Sequence, residues 1–144
     1  MVVCGDTSFL FSLYGNDVHS PRAVHWAAQS MGPITLSPYN SYELGNALRY
    51  AEFRKAIQRG EAAMYWSQFE SAVQGGRLLK PPCNLADVLD EATRLSGTHT
   101  LVGGHRGFDV LHVAAALVLK AGEFLTFDAN QKKLAEAEGL VVPL

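Results

Sequence analysis

Cysteine is scarce: the 144 residues contain two, Cys4 and Cys83, far apart in the chain. That count supplies no disulfide framework, and the separation is not that of a zinc site. Cys4 lies inside an apolar run and reads as a small core residue. Long hydrophobic runs are also missing; none approaches the roughly 20 residues that span a bilayer. The first residues have neither the basic lead nor the apolar length of a secretion signal. A membrane is therefore not an expected partner, and the expected compartment is the cytoplasm. Neither sign of charge dominates: 12 Lys and Arg oppose 14 Asp and Glu, for a formal net charge of −2. That balance argues against broad, non-specific attachment to nucleic acid through a basic surface. An enzyme that takes its positive charge from a bound metal is not. Low-complexity segments, internal repeats and linkers are absent, and one domain over residues 1–144 is expected, large enough to bury its own core.

What is present is an alternation of short apolar runs with helical patterns. Residues 2–5 read as a first strand, followed by a short helix over 8–14 that Gly15 and Asn16 stop. Ser20 and Pro21 form a favoured N-cap and first-position pair for a helix over 20–29. A strand at 34–36 leads to a helix reaching about residue 57, with Ser37, Asn40 or Ser41 as its cap and Leu44, Ala47, Leu48 and Ala51 facing inward. A helix over 61–73 and a possible edge strand at 77–80 follow, and then a helix over 85–95 capped by Asn84. Residues 96–105 read as a loop. The helix from about residue 106 is apolar on nearly all sides, which marks it as buried. A strand at 124–127, a helix after Asp128 and a last strand at 140–142 complete the chain. Strands alternating with helices throughout imply βαβ units and a mostly parallel sheet.

Acidic residues recur at one kind of place in this pattern. Asp6 ends the first strand and Asp128 the strand at 124–127; Glu43 and Asp109 fall in the first turns of helices. Strand ends next to helix starts form the rim where open α/β sheets bind ligands. A carboxylate in the first turn of a helix also has a plain explanation, as a cap or a partner of the helix dipole. Capping accounts less well for the shared strand-end placement of Asp6 and Asp128. Four carboxylates in one crevice raise one another's pKa unless something neutralises them. Oxygen donors without an accompanying Cys or His pair suit magnesium or manganese, and such an ion activates water against a phosphodiester.

Four stretches in order carry a family resemblance: D-T-S at Asp6, S-Y-E-L-G-N-A-L at Ser41, R-G-F-D-V-L-H-V-A-A-A-L at Arg106, and F-L-T-F-D-A-N-Q-K-K-L-A at Phe124. Together they resemble the PIN-domain family, in particular the VapC-like toxins of prokaryotic toxin–antitoxin pairs. L-S-G-T-H-T, followed by G-H-R-G-F-D, is similar to one subgroup. The resemblance implies a three-layer α/β/α fold around a short, mostly parallel sheet, and a ribonuclease dependent on Mg2+ or Mn2+. Carried over, the metal-site and catalytic positions match Asp6, Glu43, Asp109 and Asp128. The supporting polar positions match Ser8, Asn46 and Thr126. A cognate small antitoxin is implied as partner. Residues 61–82 match the family least.

Beside these, Arg106 and His112 are candidates for RNA contact, with a solvated helix end and the polar edge of a buried helix as their ordinary roles. Arg49, Arg54, Lys55, Arg59, Lys132 and Lys133 could guide RNA, although a run of charge is usually a wet face. Trp26, Tyr65 and Trp66 could stack bases, but aromatic packing in a core or subunit interface is the commoner role. A homodimer is compatible with the family and with the aromatic-rich middle. The competing reading is a non-catalytic α/β interaction module whose acidic crevice binds a basic segment. A phosphatase with an aspartyl nucleophile fits less well, because that chemistry wants a second Asp where Ser8 stands.

Overall fold

A computed structural model describes all 144 residues. In chain order the elements are β1 (Val2–Gly5), α1 (Thr7–Tyr14), α2 (Ser20–Gln29), β2 (Ile34–Thr35), α3 (Asn40–Phe53), α4 (Glu61–Gln74), β3 (Leu78–Leu79) and α5 (Leu85–Leu95). A π-helical turn, Ser96–Thr100, then leads into α6 (Leu101–Gly103), α7 (Gly107–Val118), β4 (Ala121–Leu125) and α8 (Ala129–Ala137). The chain forms two compact units: Met1–Asp6 with Pro81–Leu144, and Thr7–Lys80. The strands are short and parallel, as expected. They hydrogen-bond as two separate pairs, β1 with β4 in the first unit and β2 with β3 in the second.

In the first unit, Cys4 pairs with Phe124 and Gly5 with Leu125 across β1 and β4, after an irregularity between Val2 and Val3. Gly5 stands where a Cβ would meet the Leu125 side chain and carbonyl at 3.2 Å, so the strands come closest at the end where β1 stops. Burial raises the Cys4 thiol pKa to about 12, with a smaller contribution from Cys83, which keeps it neutral as a core residue should be. Helix α7 buries Val113, Ala114, Ala115 and Ala116 completely. Its alanine run permits close approach to β4 and to α5. Asn84 caps α5 as the sequence suggests, its side chain accepting from the Ala86 N–H at 2.8 Å. The expected strand at 140–142 shrinks to one parallel bridge, with the Val141 N–H donating to Gly122 O and the Phe124 N–H to Val141 O. The expected loop at 96–105 is instead mostly helical: α5 widens into the π-helical turn, and α6 ends at Gly104 in the left-handed region. Sequence patterning missed this because Gly97, Gly103 and Gly104 look like punctuation, whereas only Gly104 ends a helix.

Glu138, just past α8, accepts hydrogen bonds from Arg94 of α5 and meets the His99 ring at 2.7 Å. Burial pushes the Glu138 carboxyl up, but the hydrogen bonds from Arg94 and His99 outweigh it and hold its pKa below the usual carboxylate value.

In the second unit, Phe9 and Leu10 of α1, Leu44, Leu48 and Ala51 of α3, and Phe69 and Ala72 of α4 form the core. Helix α3 starts without the expected cap. Asn40 is already helical, and its carboxamide oxygen accepts instead from the Ser37 N–H at 2.7 Å. The rings considered for base stacking are engaged in packing. Trp26 meets Phe9 edge-on at 5.7 Å, and Trp66 lies 5.1 Å from Phe69. The Tyr65 hydroxyl donates to Glu61.

Two measurements test these assignments. Phe124 is fully buried, so Phe124→Ala should lower the unfolding free energy by about 3–5 kcal/mol, seen as a lower urea midpoint at unchanged slope. A depressed carboxyl pKa contributes stability that is complete above the unfolded value, about 4.3, and is lost as pH falls through the folded value. Glu138→Gln should therefore flatten the fall of Tm between about pH 5 and pH 3.

Candidate active site

The end of β1 and the residues after β4 come together around one hydroxyl. Asp6 is 4% exposed, and its N–H donates to Leu125 O at 3.1 Å, which fixes the backbone where the strand stops. Thr126 Oγ1 lies 2.8 Å from Asp6 Oδ2 and 2.9 Å from Gln131 Oε1, and accepts from the Asp128 N–H at 3.0 Å. A hydroxyl has one proton to give, so Asp6 and Gln131 compete for it while the Asp128 N–H holds the oxygen in place. Asp128 is the N-cap of α8, its Oδ1 accepting from the Gln131 N–H at 2.8 Å. Gln131 also reaches α7, where its Nε2 donates to Asp109 O at 3.2 Å.

Above this buried layer the carboxylates of Asp109 and Asp128 are partly exposed and share a cation. Arg106 Nε is 3.4 Å from Asp109 Oδ2, and Arg106 Nη2 is 4.0 Å from Asp128 Oδ2. The guanidinium is 81% exposed, so solvent weakens both attractions to the scale of surface pairs. Its backbone stays in register because Asn130 Nδ2 donates to Gly103 O and meets His105 Nδ1, tying the segment before α7 to the first turn of α8.

Glu43 belongs to the second unit. Its Oε1 accepts from the Thr7 hydroxyl at 2.6 Å, and Thr7 Oγ1 accepts from Asn40 Nδ2 at 3.1 Å. Asn40 is 1% exposed, so a buried amide and a buried hydroxyl orient this carboxylate. Thr7 directly follows Asp6 in the chain.

The Asp6 carboxylate, the Asp128 N–H and the Asp109 carbonyl thus fall within one bonded network of the first unit, built on Thr126 and Gln131. Three further candidates are placed differently from these. Ser8 is exposed, and the hydroxyl that engages a carboxylate is that of its neighbour Thr7. Asn46 is exposed, and the amide that does the orienting is Asn40, six positions earlier. In both cases the helix phase decides, because one residue of rotation carries a side chain from the interior to solvent. His112 is 4% exposed on α7, inside the core. Two contributors went unseen in the sequence, Gln131 and Asn40. Each sits in a helix where a polar residue reads as surface, and burial among bonded partners is the only signal that separates them from it.

The donor set suits a hard divalent ion in kind: carboxylate oxygens, no thiolate, and two carboxylates already facing one positive group. As the side chains stand, no three His, Cys, Asp or Glu side chains gather closely enough to hold a metal ion.

No family model matches the sequence, and no curated relative does. Among solved structures the match is clear. The fold is that of the PIN-domain VapC-type toxins. One similar structure is VapC20 of Mycobacterium tuberculosis, a Sarcin-Ricin loop cleaving toxin, with a TM-score of 0.65 and 19% identity over 96% of each chain. VapBC2 from Rickettsia felis, bound to a DNA fragment from their promoter, has a TM-score of 0.62 at 14% identity, covering 99% of this chain and 97% of that one. FitAcB from Neisseria gonorrhoeae has 0.60 at 16% identity, covering 98% and 96%.

The Thr126 hydroxyl yields a test by stability alone. Thr126→Val removes it and leaves Asp6 and the Asp128 N–H short of a buried partner, at a cost of about 1–3 kcal/mol. Thr126→Ser should recover most of that loss in chemical denaturation.

Proposed function

We propose that this chain is a metal-dependent endoribonuclease and the toxin of a toxin–antitoxin pair. The observation that carries the reading is the bonded arrangement of Asp6, Asp109 and Asp128 through Thr126 and Gln131. It occurs in a fold that VapC20, a Sarcin-Ricin loop cleaving toxin, shares over nearly its whole length. Asp6, Asp109 and Asp128 would hold Mg2+ or Mn2+, and the family resemblance adds Glu43. The ion would supply a Lewis acid that lowers the pKa of water and offsets charge developing on a phosphodiester. The chain's own residues do the positioning. Thr126 orients the buried Asp6 carboxylate, and the α8 cap limits how far Asp128 can turn. Arg106, exposed and beside both outer carboxylates, is placed to draw in an RNA phosphate. Asn40 and Thr7 orient Glu43. An antitoxin partner is supported by VapBC2 and FitAcB, which are toxin–antitoxin complexes.

RNA cleavage with millimolar Mg2+ or Mn2+ tests the activity. Asp6→Asn should reduce the rate at least about a hundredfold, and EDTA should abolish it. Independently of activity, Mn2+ at a hundred times its Kd should stabilise the wild-type chain by about 2.7 kcal/mol, and Asp6→Asn should lose that stabilisation. Undiminished cleavage by Asp6→Asn would remove Asp6 from the chemistry. A Tm indifferent to either metal would favour a module that binds a basic segment through its carboxylates.

A further inference from the structure

The second unit exposes aromatic rings along α3, and at its C-terminal end rings and cations stand together. Tyr42, Tyr50 and Phe53 are 73%, 59% and 80% exposed. The Tyr50 and Phe53 rings lie 6.2 Å apart and 24° from parallel. The Arg54 guanidinium stands 5.7 Å over the Tyr50 ring, and Arg49 stands 5.5 Å over Trp66. Beyond the helix Lys55 adopts a left-handed backbone, with φ 61°. Phe53, Lys55, Gln58 and Arg59 then line an open cavity of about 750 Å³, with Asn16 on its wall.

Isolated exposed apolar side chains are ordinary, but three large rings on one helix leave a sizeable surface unburied. The cations beside them, Arg49, Arg54, Lys55 and Arg59, outnumber the two carboxylates, Glu52 and Glu61, that line the cavity. No ion pair engages Arg49, Arg54, Lys55 or Arg59. The acids nearby are turned to other tasks. Glu52 Oε1 accepts from the Gly60 and Ala62 N–H groups at 3.0 Å each. Glu61 accepts from the Gln58 N–H at 2.5 Å and from the Tyr65 hydroxyl at 2.7 Å. What remains for a ligand is flat apolar area next to free positive charge. A chain of phosphates with unstacked bases matches both.

We infer that the C-terminal end of α3 and the turn after it bind single-stranded RNA, one base stacking on Phe53 while neighbouring phosphates meet Lys55 and Arg59. The identity of the ligand rests on the proposed ribonuclease activity; the site itself rests on the exposed rings and unpaired cations. It would hold the substrate by stacking and charge without reading its sequence.

Binding can be read without cleavage or metal, by anisotropy of a labelled single-stranded RNA with the Asp6→Asn protein in EDTA. Phe53→Ala in that background should weaken Kd about tenfold or more at unchanged Tm. Lys55→Gln with Arg59→Gln should lower the slope of log K against log salt by about 1.4, whereas Lys80→Gln should change Kd less than twofold. Retention of affinity by Phe53→Ala at unchanged Tm overturns the inference. So does a change in sedimentation mass without a change in RNA affinity, which would mark a protein-contacting face. If the wild type cuts no RNA but Phe53 still governs binding, the ribonuclease reading fails and this site stands. Cleavage by the wild type with binding indifferent to Phe53 gives the reverse.

Discussion

The buried hydroxyl of Thr126 ties the start of α8 to the end of β1, 120 residues earlier in the chain, and through Gln131 to α7. It meets the Asp6 carboxylate at the end of β1, receives the Asp128 N–H at the start of α8, and contacts Gln131, which bonds in turn to the Asp109 carbonyl of α7. A polar group in an apolar interior is costly unless bonded, so each of these groups needs the others to be where they are. The parallel pairing of β1 with β4 sets the stage. With Gly5 opposite Leu125, the next residue of each strand is Asp6 and Thr126. A one-residue slip of either strand would turn its side chain to the opposite face from the other's.

Charge above that layer follows a different rule. Asp109 and Asp128 are close enough to share Arg106, and like charges at such range favour any cation that can stand near both. An exposed arginine does this weakly. It leaves both carboxylates able to exchange one positive partner for another. A buried, bidentate pair would cost several kcal/mol to break. The weakness of the Arg106 contacts is therefore compatible with a site that must admit a divalent ion or a phosphate.

The second unit repeats the strategy with different residues. The chain Asn40 to Thr7 to Glu43 is donor to acceptor at each step, so the Glu43 carboxylate is oriented by buried groups while its helix supplies the scaffold. Toward its C-terminal end the exposed surface of α3 is aromatic and cationic. One helix thus carries an orienting interior face and an exposed face suited to holding a flat, anionic chain.

The amino-acid sequence by itself determined the alternation of strands and helices, the burial of α7, and the placement of Asp6 and Asp128 at strand ends. Those features depend on local periodicity and punctuation, which a linear chain displays directly. Tertiary structure alone decided that Thr7 and Asn40 are interior while Ser8 and Asn46 face solvent, that Gln131 and His112 are buried, and that residues 96–103 wind rather than loop. A polar side chain on a helix has the same local pattern whether it meets water or a buried partner. Which of the two it meets depends on helix rotation against a neighbour dozens of residues away, and that neighbour is found only once the chain has packed.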